Sequence, residues 1–221
     1  YDPATEGARM NFKGRMSYGD YLMLDRLLDA QAPLSSAHDE LLFIISHQVY
    51  ELWFKQMLHE LEGVCGFLDA DQPLRAAQLF ERIHKIQHLL IEQIPMLETM
   101  FAVNFAAFRD NRRPASGFQS VQFREIEFFC GNKDARFLAL VGEDDAAKAE
   151  MATYLARPTP YDHFLRHLKR EDHDAFAVPD DALARDTSAA HEERAGCVDA
   201  LERLYRDHDR PPNGERYYAP F

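Results

Sequence analysis

Apolar residues recur along this chain at helical spacing, and polar punctuation cuts the pattern into segments. Tyr21, Leu24, Leu27 and Leu28 share one face of a segment from Tyr18 to Leu28, which Pro33 closes. Ser36 and Asp39 match a capping box, S-x-x-D, and predict a helix that opens there and runs to about Leu68. Within it Leu41, Ile45, Val49, Leu52 and Leu58 follow the helical period, and Glu51 with Lys55 suits a solvated or intersubunit edge. A turn at Asp69 to Pro73 follows. Leu74 to Met100 then carries the clearest amphipathic pattern, with Leu79, Ile83, Ile86, Leu90, Ile94 and Leu97 in register. Pro95 lies inside it and predicts a kink or break.

Phe101 to Phe108 reads as an apolar helix and Asn111 to Gly117 as a loop, after which Val121 to Cys130 returns to the apolar period. Shorter helices are expected over Asp134 to Val141, Ala146 to Leu155 and Tyr161 to Leu168, separated by Gly142, Pro158 and Pro160. Val178 to Asp181 reads as a turn, and Ser188 to Arg206 as a last helix with an acidic face. No alternating run, internal repeat or low-complexity tract is present. The expected fold class is all-α, a bundle of long helices joined by short loops. Residues 1–16 read as an N-terminal arm, 17–209 as a single domain and 210–221 as an irregular tail.

At 221 residues, 46% apolar and 28% charged, the chain is long enough for a sizeable core and ordinary for a globular protein. A net charge of -12 argues against nucleic acid and anionic membranes as partners. No run of eighteen apolar residues suggests a membrane span, and YDPATEGARMNF lacks the basic and apolar blocks of a signal peptide. Cys65, Cys130 and Cys197 are few, odd in number and scattered, which fits a reducing cytoplasm better than a disulfide framework. The sequence contains no P-loop and no GxGxxG, HExxH or GxSxG motif.

Two residues stand out as candidates for chemistry. His47 lies mid-helix, four residues after Phe43 on the same face. It reads either as a core histidine bonded to a neighbouring carbonyl or as a neutral imidazole in an aromatic pocket, ready to accept a proton or a hydrogen bond. Arg109 follows Phe105 and Phe108 and precedes a rigid Pro-Ala-Ser-Gly turn. It reads either as a surface arginine at a helix end or as a guanidinium that grips a carboxylate through two parallel bonds. Ser116 and Gly117 follow it and offer a hydroxyl and a close backbone. A buried base and a buried cation on separate elements suit a pocket for a zwitterionic small molecule. The i,i+4 pairs His84/His88 and His163/His167 have metal-compatible spacing but no accompanying ligand pattern, and both read as solvated. Tyr18 and Tyr21 share a face that suits core packing or a partner contact.

Three stretches resemble the tryptophan 2,3-dioxygenase family, haem enzymes that open the indole ring. They are SYGDYLMLDRLLDAQ at 17–31, HDELLFIISHQVYELWFKQMLHEL at 38–61 and FRDNRRPASGFQSVQFREIEFFCGNK at 108–133. Weaker similarity continues through PTPYDHFLRHL at 158–168 to LERLYRDHD at 201–209, so the resemblance covers most of the chain. It implies an all-α homotetramer in the cytoplasm, with haem b as cofactor and L-tryptophan, or a close indole amino acid, and O2 as substrates. It further implies that His47 contacts the indole nitrogen, Phe43 and Phe105 line the pocket and Arg109 holds the carboxylate. Ser116, Arg112 and Trp53 are the cofactor-side candidates, and Tyr18, Tyr21 and Leu22 match residues lent to a neighbouring subunit's pocket.

Three departures accompany the resemblance. The family usually has tyrosine where this chain has Phe105, and a small apolar residue where it has Arg112. The family's Trp-Arg-x-x-His segment with the proximal iron ligand, and the Lys-Arg-Gly-Thr-Gly-Gly loop after it, have no match; the only tryptophan is Trp53. No residue is therefore assigned as the iron ligand. The leading expectation is a haem-dependent dioxygenase acting on tryptophan. The alternatives are a relative that adds one oxygen to a tryptophan derivative in secondary metabolism, and a shortened scaffold that binds no haem.

Overall fold

Helices provide all the regular structure among the residues described by the computed structural model, which are 15–112, 114–171, 178–192, 196–199 and 202. The segment predicted over 18–28 is two short helices, α1 (Tyr18–Leu22) and α2 (Leu24–Leu27). Met23 divides them in the left-handed conformation, φ 52°. A Ser17–Asp20 capping box opens α1, but its apolar side chains have no core to pack on, and short helices without tertiary support do not propagate.

The axis of the fold is α3 (His38–Asp69). Its start corrects the expected Ser36–Asp39 box: Ala37 is the N-cap and contributes no side-chain bond. Glu40 organises the entry instead. Its buried carboxylate accepts from the Ser35 hydroxyl at 2.5 Å and from the Leu34 and Ser35 amides at 2.9 and 2.8 Å. The Ser35 hydroxyl, followed by the Leu34 amide, holds that carboxyl below its ordinary range.

The apolar stripe read for this helix also needs correction. Leu58 is buried, but Leu41, Ile45 and Leu52 are exposed. The core belongs to the second half, where Met57, Leu58, Leu61, Val64, Cys65 and Leu68 pack on Ala76, Ile83, Ile86 and Leu90 of α4 (Pro73–Glu92). Ile126 and Phe129 of α7 (Val121–Phe129) close the same cluster. The break expected at Pro95 is present: α4 ends at Glu92, and Pro95 sits in the first turn of α5 (Ile94–Glu98), where a missing N–H costs nothing.

Beyond α6 (Ala102–Arg109) and α7, the stretch Ala135–Val141 is a 3-10 connector rather than an α-helix, ending at Gly142 with φ 62°. It leads into α8 (Asp145–Ala156) and α9 (Pro160–Glu171). Lys133 caps the end of α8, donating to the carbonyls of Tyr154, Leu155 and Arg157 at 2.9–3.0 Å. The expected turn at 178–181 is the start of a short helix, α10 (Asp180–Leu183). The last predicted helix does not begin at Ser188. Residues 188–192 are irregular, because the Asp186 carboxylate takes the Ser188 amide and hydroxyl while Arg185 binds the Asp186 and Ala189 carbonyls. Of the remainder, 196–199 and 202 are helical; 200, 201 and 203–221 lie outside the described residues. No helix among the described residues is long and apolar enough to cross a membrane.

The segment 178–192 is held to α9 by a buried fork. Arg185 Nε and Nη2 donate to the two oxygens of Asp162 at 2.6 and 2.7 Å, and both side chains are 6% exposed. Burial alone would push the Asp162 carboxyl up. Donation from Arg185 and from Thr159 outweighs that and holds it far below the usual 3.8. Arg185→Met should therefore cost on the order of 3–5 kcal/mol, because it strips the arginine fork from a buried carboxylate and leaves it only Thr159 and His191. Urea unfolding at pH 7 measures this. A carboxyl with a depressed native pKa stabilises the fold above its unfolded value and loses that contribution as pH falls below it. The gap between wild type and Arg185→Met should accordingly narrow below pH 3.8.

Candidate functional site

The first half of α3 and the end of α6 bring four rings together. Phe43 and His47 stack one turn apart, centroids 4.1 Å and planes at 34°. From α6, Phe105 and Phe108 approach Phe43 at 5.9 and 5.6 Å and meet each other at 5.5 Å, nearly perpendicular. Phe108 is buried, whereas Phe43, Phe105 and His47 are half-buried. A second ring cluster lies on α3 and α7, where Phe54 lies 6.0 Å from Tyr50 and 5.4 Å from Phe123.

His47 Nδ1 lies 2.8 Å from the Phe43 carbonyl oxygen. A carbonyl only accepts, so Nδ1 carries the hydrogen, and a neutral ring then presents Nε2 as a lone-pair acceptor. The bond to a neighbouring carbonyl and the aromatic surroundings, two readings set apart in the sequence, occur together. The expectation of a fully buried base and cation is corrected: His47 is half-buried and Arg109 is exposed. Arg109 ends α6 one turn beyond Phe105 on the same face, and it makes no hydrogen bond or ion pair among the described residues. None of the described residues covers that end of α6.

The loop after Arg109 turns through a 3-10 segment at Asp110–Arg112; the side chain of Arg112 lies outside what the structure describes. Ser116 is exposed and caps a second 3-10 turn, Gly117–Gln119. Its hydroxyl oxygen accepts from the Phe118 amide at 3.4 Å, which leaves the hydroxyl proton free to donate. A Cβ at Gly117 would meet nothing within 4 Å. Trp53 lies six residues from His47, about 120° around the helix, and packs on the α3–α4 core. Tyr18 and Tyr21 are 75% and 74% exposed, and Leu22 is exposed beside them. Leu41, Ile45 and Leu52 form a separate bare stripe, about 120–160° around α3 from His47.

His84 and His88 are exposed on α4, as expected. The solvated reading of His163 and His167 is overturned. His163 bonds Asp69 at 2.8 Å, and His167, 1% exposed, bonds Asp71 at 2.9 Å while Arg170 pairs with the same carboxylate. These pairs lock α9 to the α3–α4 turn. Among the described residues no group of three His, Cys, Asp or Glu side chains could hold a metal ion. An apolar cavity of about 190 Å³ lies at that far end of α3, between Leu68, Ala76, Phe80, Pro160 and Phe164. Its wall residue Leu68 is about 30 Å along the helix from His47.

The sequence reading passed over the polar ties around the rings. Asn104 of α6 donates to the Asp39 carboxylate at 2.7 Å. Gln122 of α7 donates to both the carbonyl and the carboxylate of Glu51 at 2.9 Å. No local pattern announces either, since the partners stand 65 and 71 residues apart.

Comparison with known proteins follows the same residues. The family model described as tryptophan 2,3-dioxygenase matches residues 3–154. A tryptophan 2,3-dioxygenase of Bradyrhizobium sp. (strain ORS 278) is 46% identical over 210 residues, 95% of this chain and 74% of that protein. The proteins of the same name from Kineococcus radiotolerans and Myxococcus xanthus are 42% and 41% identical, over 92% and 91% of this chain and 71% and 69% of their own.

Proposed function

The chain belongs to the tryptophan 2,3-dioxygenase family, and on that premise we propose that L-tryptophan binds against the Phe43, Phe105 and Phe108 rings. The protein is an enzyme, a haem-dependent oxidoreductase that inserts dioxygen into an indole ring. The observation that carries the residue assignments is the His47–Phe43 bond. It commits Nδ1 as donor and leaves Nε2 to accept the indole N–H, which orients the ring. Arg109, exposed, one turn from Phe105 and without a side-chain partner among the described residues, takes the substrate carboxylate. Ser116 offers its hydroxyl proton from the loop that follows.

Haem b is the cofactor we assign. Two ring clusters on successive stretches of α3, Phe105 with Phe43 and Phe123 with Phe54, offer apolar surface of the kind a planar macrocycle needs. Ser116 and Arg112, on the loop between α6 and α7, are placed at its edge, and Trp53 backs the rings from the core side. Haem supplies the redox-active iron for the reaction with dioxygen. Among the described residues, His163, His167 and His191 are engaged by carboxylates, and His38, His59, His84 and His88 are exposed. None of them is assigned as the proximal ligand.

We assign residues 17–209 to one haem- and substrate-binding domain between an arm and a tail, in a reducing cytoplasm that suits three free cysteines. The same reading makes the protein a homotetramer, in which Tyr18, Tyr21 and Leu22 reach a neighbour's pocket. Their exposure, and the second bare stripe of Leu41, Ile45 and Leu52, support it.

Three measurements test these assignments. His47→Ala should lower kcat/KM for tryptophan by roughly ten- to a thousandfold. Wild type should discriminate against 1-methyl-tryptophan, which has no N–H to donate, and the alanine variant much less; an unchanged preference removes His47 from the substrate. Arg109→Leu should lower kcat/KM by about thirty- to a thousandfold for tryptophan and far less for tryptamine, which lacks the carboxylate. Light scattering of the intact chain at micromolar concentration should show an oligomer that deletion of residues 1–24 disrupts; a monomeric intact chain rejects the assembly.

A further inference from the structure

The loop that carries Arg109, Arg112 and Ser116 leaves α6 and returns in α7, and each of those helices is tied to α3 by one amide side chain. Asn104 binds Asp39 at 2.7 Å, and Gln122 binds Glu51 twice at 2.9 Å. The two anchor points lie twelve residues apart on one rigid helix, about 18 Å along its axis, and His47 lies between them. Asn104 is one turn before Phe108 on the same face of α6, so the tie also fixes how far α6 reaches along α3. Gln122 directly follows the capped start of α7, where the Ser120 hydroxyl accepts from the Phe123 amide at 3.2 Å. Phe123, the next residue, rests on Phe54 of α3 at 5.4 Å.

We propose that Asp39–Asn104 and Glu51–Gln122 are positioning pairs that bracket the Arg109–Ser116 loop and hold its cation and hydroxyl over the His47 region of α3. The inference rests on the substrate assignments above for its consequence in catalysis, but the geometry stands on the two pairs alone. Arg109 is exposed and has no side-chain partner among the described residues to hold it there. Its place is therefore set by the backbone at the two ends of its loop. Core packing of Phe108 and of Ile126 and Phe129 sets the helices, and each tie fixes the polar end of its helix next to the loop. The Gln122 amide meets main chain as well as side chain, so that pair fixes register and not only distance. The Asn104 pair joins α6 to the first turn of α3, the same turn that Glu40 organises.

The test uses the full-length haem-loaded protein. Asn104→Leu and Gln122→Leu should each raise KM for tryptophan about five- to tenfold while kcat changes less than threefold, and should leave KM for tryptamine nearly unchanged. In the same variants, amide hydrogen exchange across residues 109–120 should accelerate at least fivefold, with exchange in the α3–α4 core unaltered. Asp39→Asn combined with Asn104→Asp rebuilds the bond with donor and acceptor exchanged. It should recover most of the tryptophan KM and the loop protection that Asn104→Asp alone, which sets two carboxylates face to face, loses. Unchanged loop exchange in both leucine variants, or no recovery in the exchanged pair, overturns the proposal. Arg109→Leu, measured alongside, separates this inference from the one beneath it. If Arg109→Leu shows no carboxylate dependence, the substrate assignment fails, and the exchange data alone decide whether the pairs hold the loop.

Discussion

Everything in this molecule is referred to the burial of the second half of α3. Met57, Leu61, Val64 and Leu68 leave water against α4 and α7, and that packing fixes a helix of 32 residues as one rigid rod. Its first half inherits the rigidity with little apolar burial of its own. Phe43 and His47 are consequently held in place by a core that begins about three turns beyond His47 on the same helix. An apolar surface of that kind would be a liability on an isolated domain, and here it sits on the stiffest element the fold possesses.

What the residue pattern showed, and what it hid, follows from the range of each interaction. The all-α class, the break at Pro95 and the shared face of Phe43 and His47 are consequences of neighbours within one or two turns, and they were legible. His163 and His167 were misread because their partners, Asp69 and Asp71, lie 94 and 96 residues away. The capping box failed for a subtler reason. Ser36 and Asp39 have the right spacing, but Glu40 can satisfy two amides and a hydroxyl at once, and the carboxylate with more partners wins. The stripe of Leu41, Ile45 and Leu52 exposes a further limit of periodicity, which tells that a face is apolar and not what will cover it.

Charge is used differently at the two ends of α3. At the far end the pairs are buried or nearly so: Asp162 with Arg185, His167 with Asp71, and Lys133 on three carbonyls. Asp162 and Lys133 are each met there by several partners, which offsets the cost of taking a charge out of water. At the near end Arg109 is exposed, with no side-chain partner among the described residues. In the role proposed for it, a cation that receives a carboxylate from outside is not satisfied in advance, and keeping it solvated avoids the cost of a buried, unpaired charge.

That contrast explains why amide side chains appear around the rings. Apolar burial locates helices well, but it consumes the surface it locates. Around Phe43 and His47 part of the apolar surface stays available, so the packing of Phe108 on α6 and of Ile126 and Phe129 on α7 is supplemented there by other means. Asn104 and Gln122 do this with hydrogen bonds from neutral amides to carboxylates, which are directional and short and occupy no apolar area. Such bonds are individually modest, and the rest of the fold needs only modest ones there, because Phe108 supplies the single fully buried anchor of α6. Hydrogen bonds at the near end of α3 therefore do for position what close packing does at the far end. The site remains open because it was built without filling it.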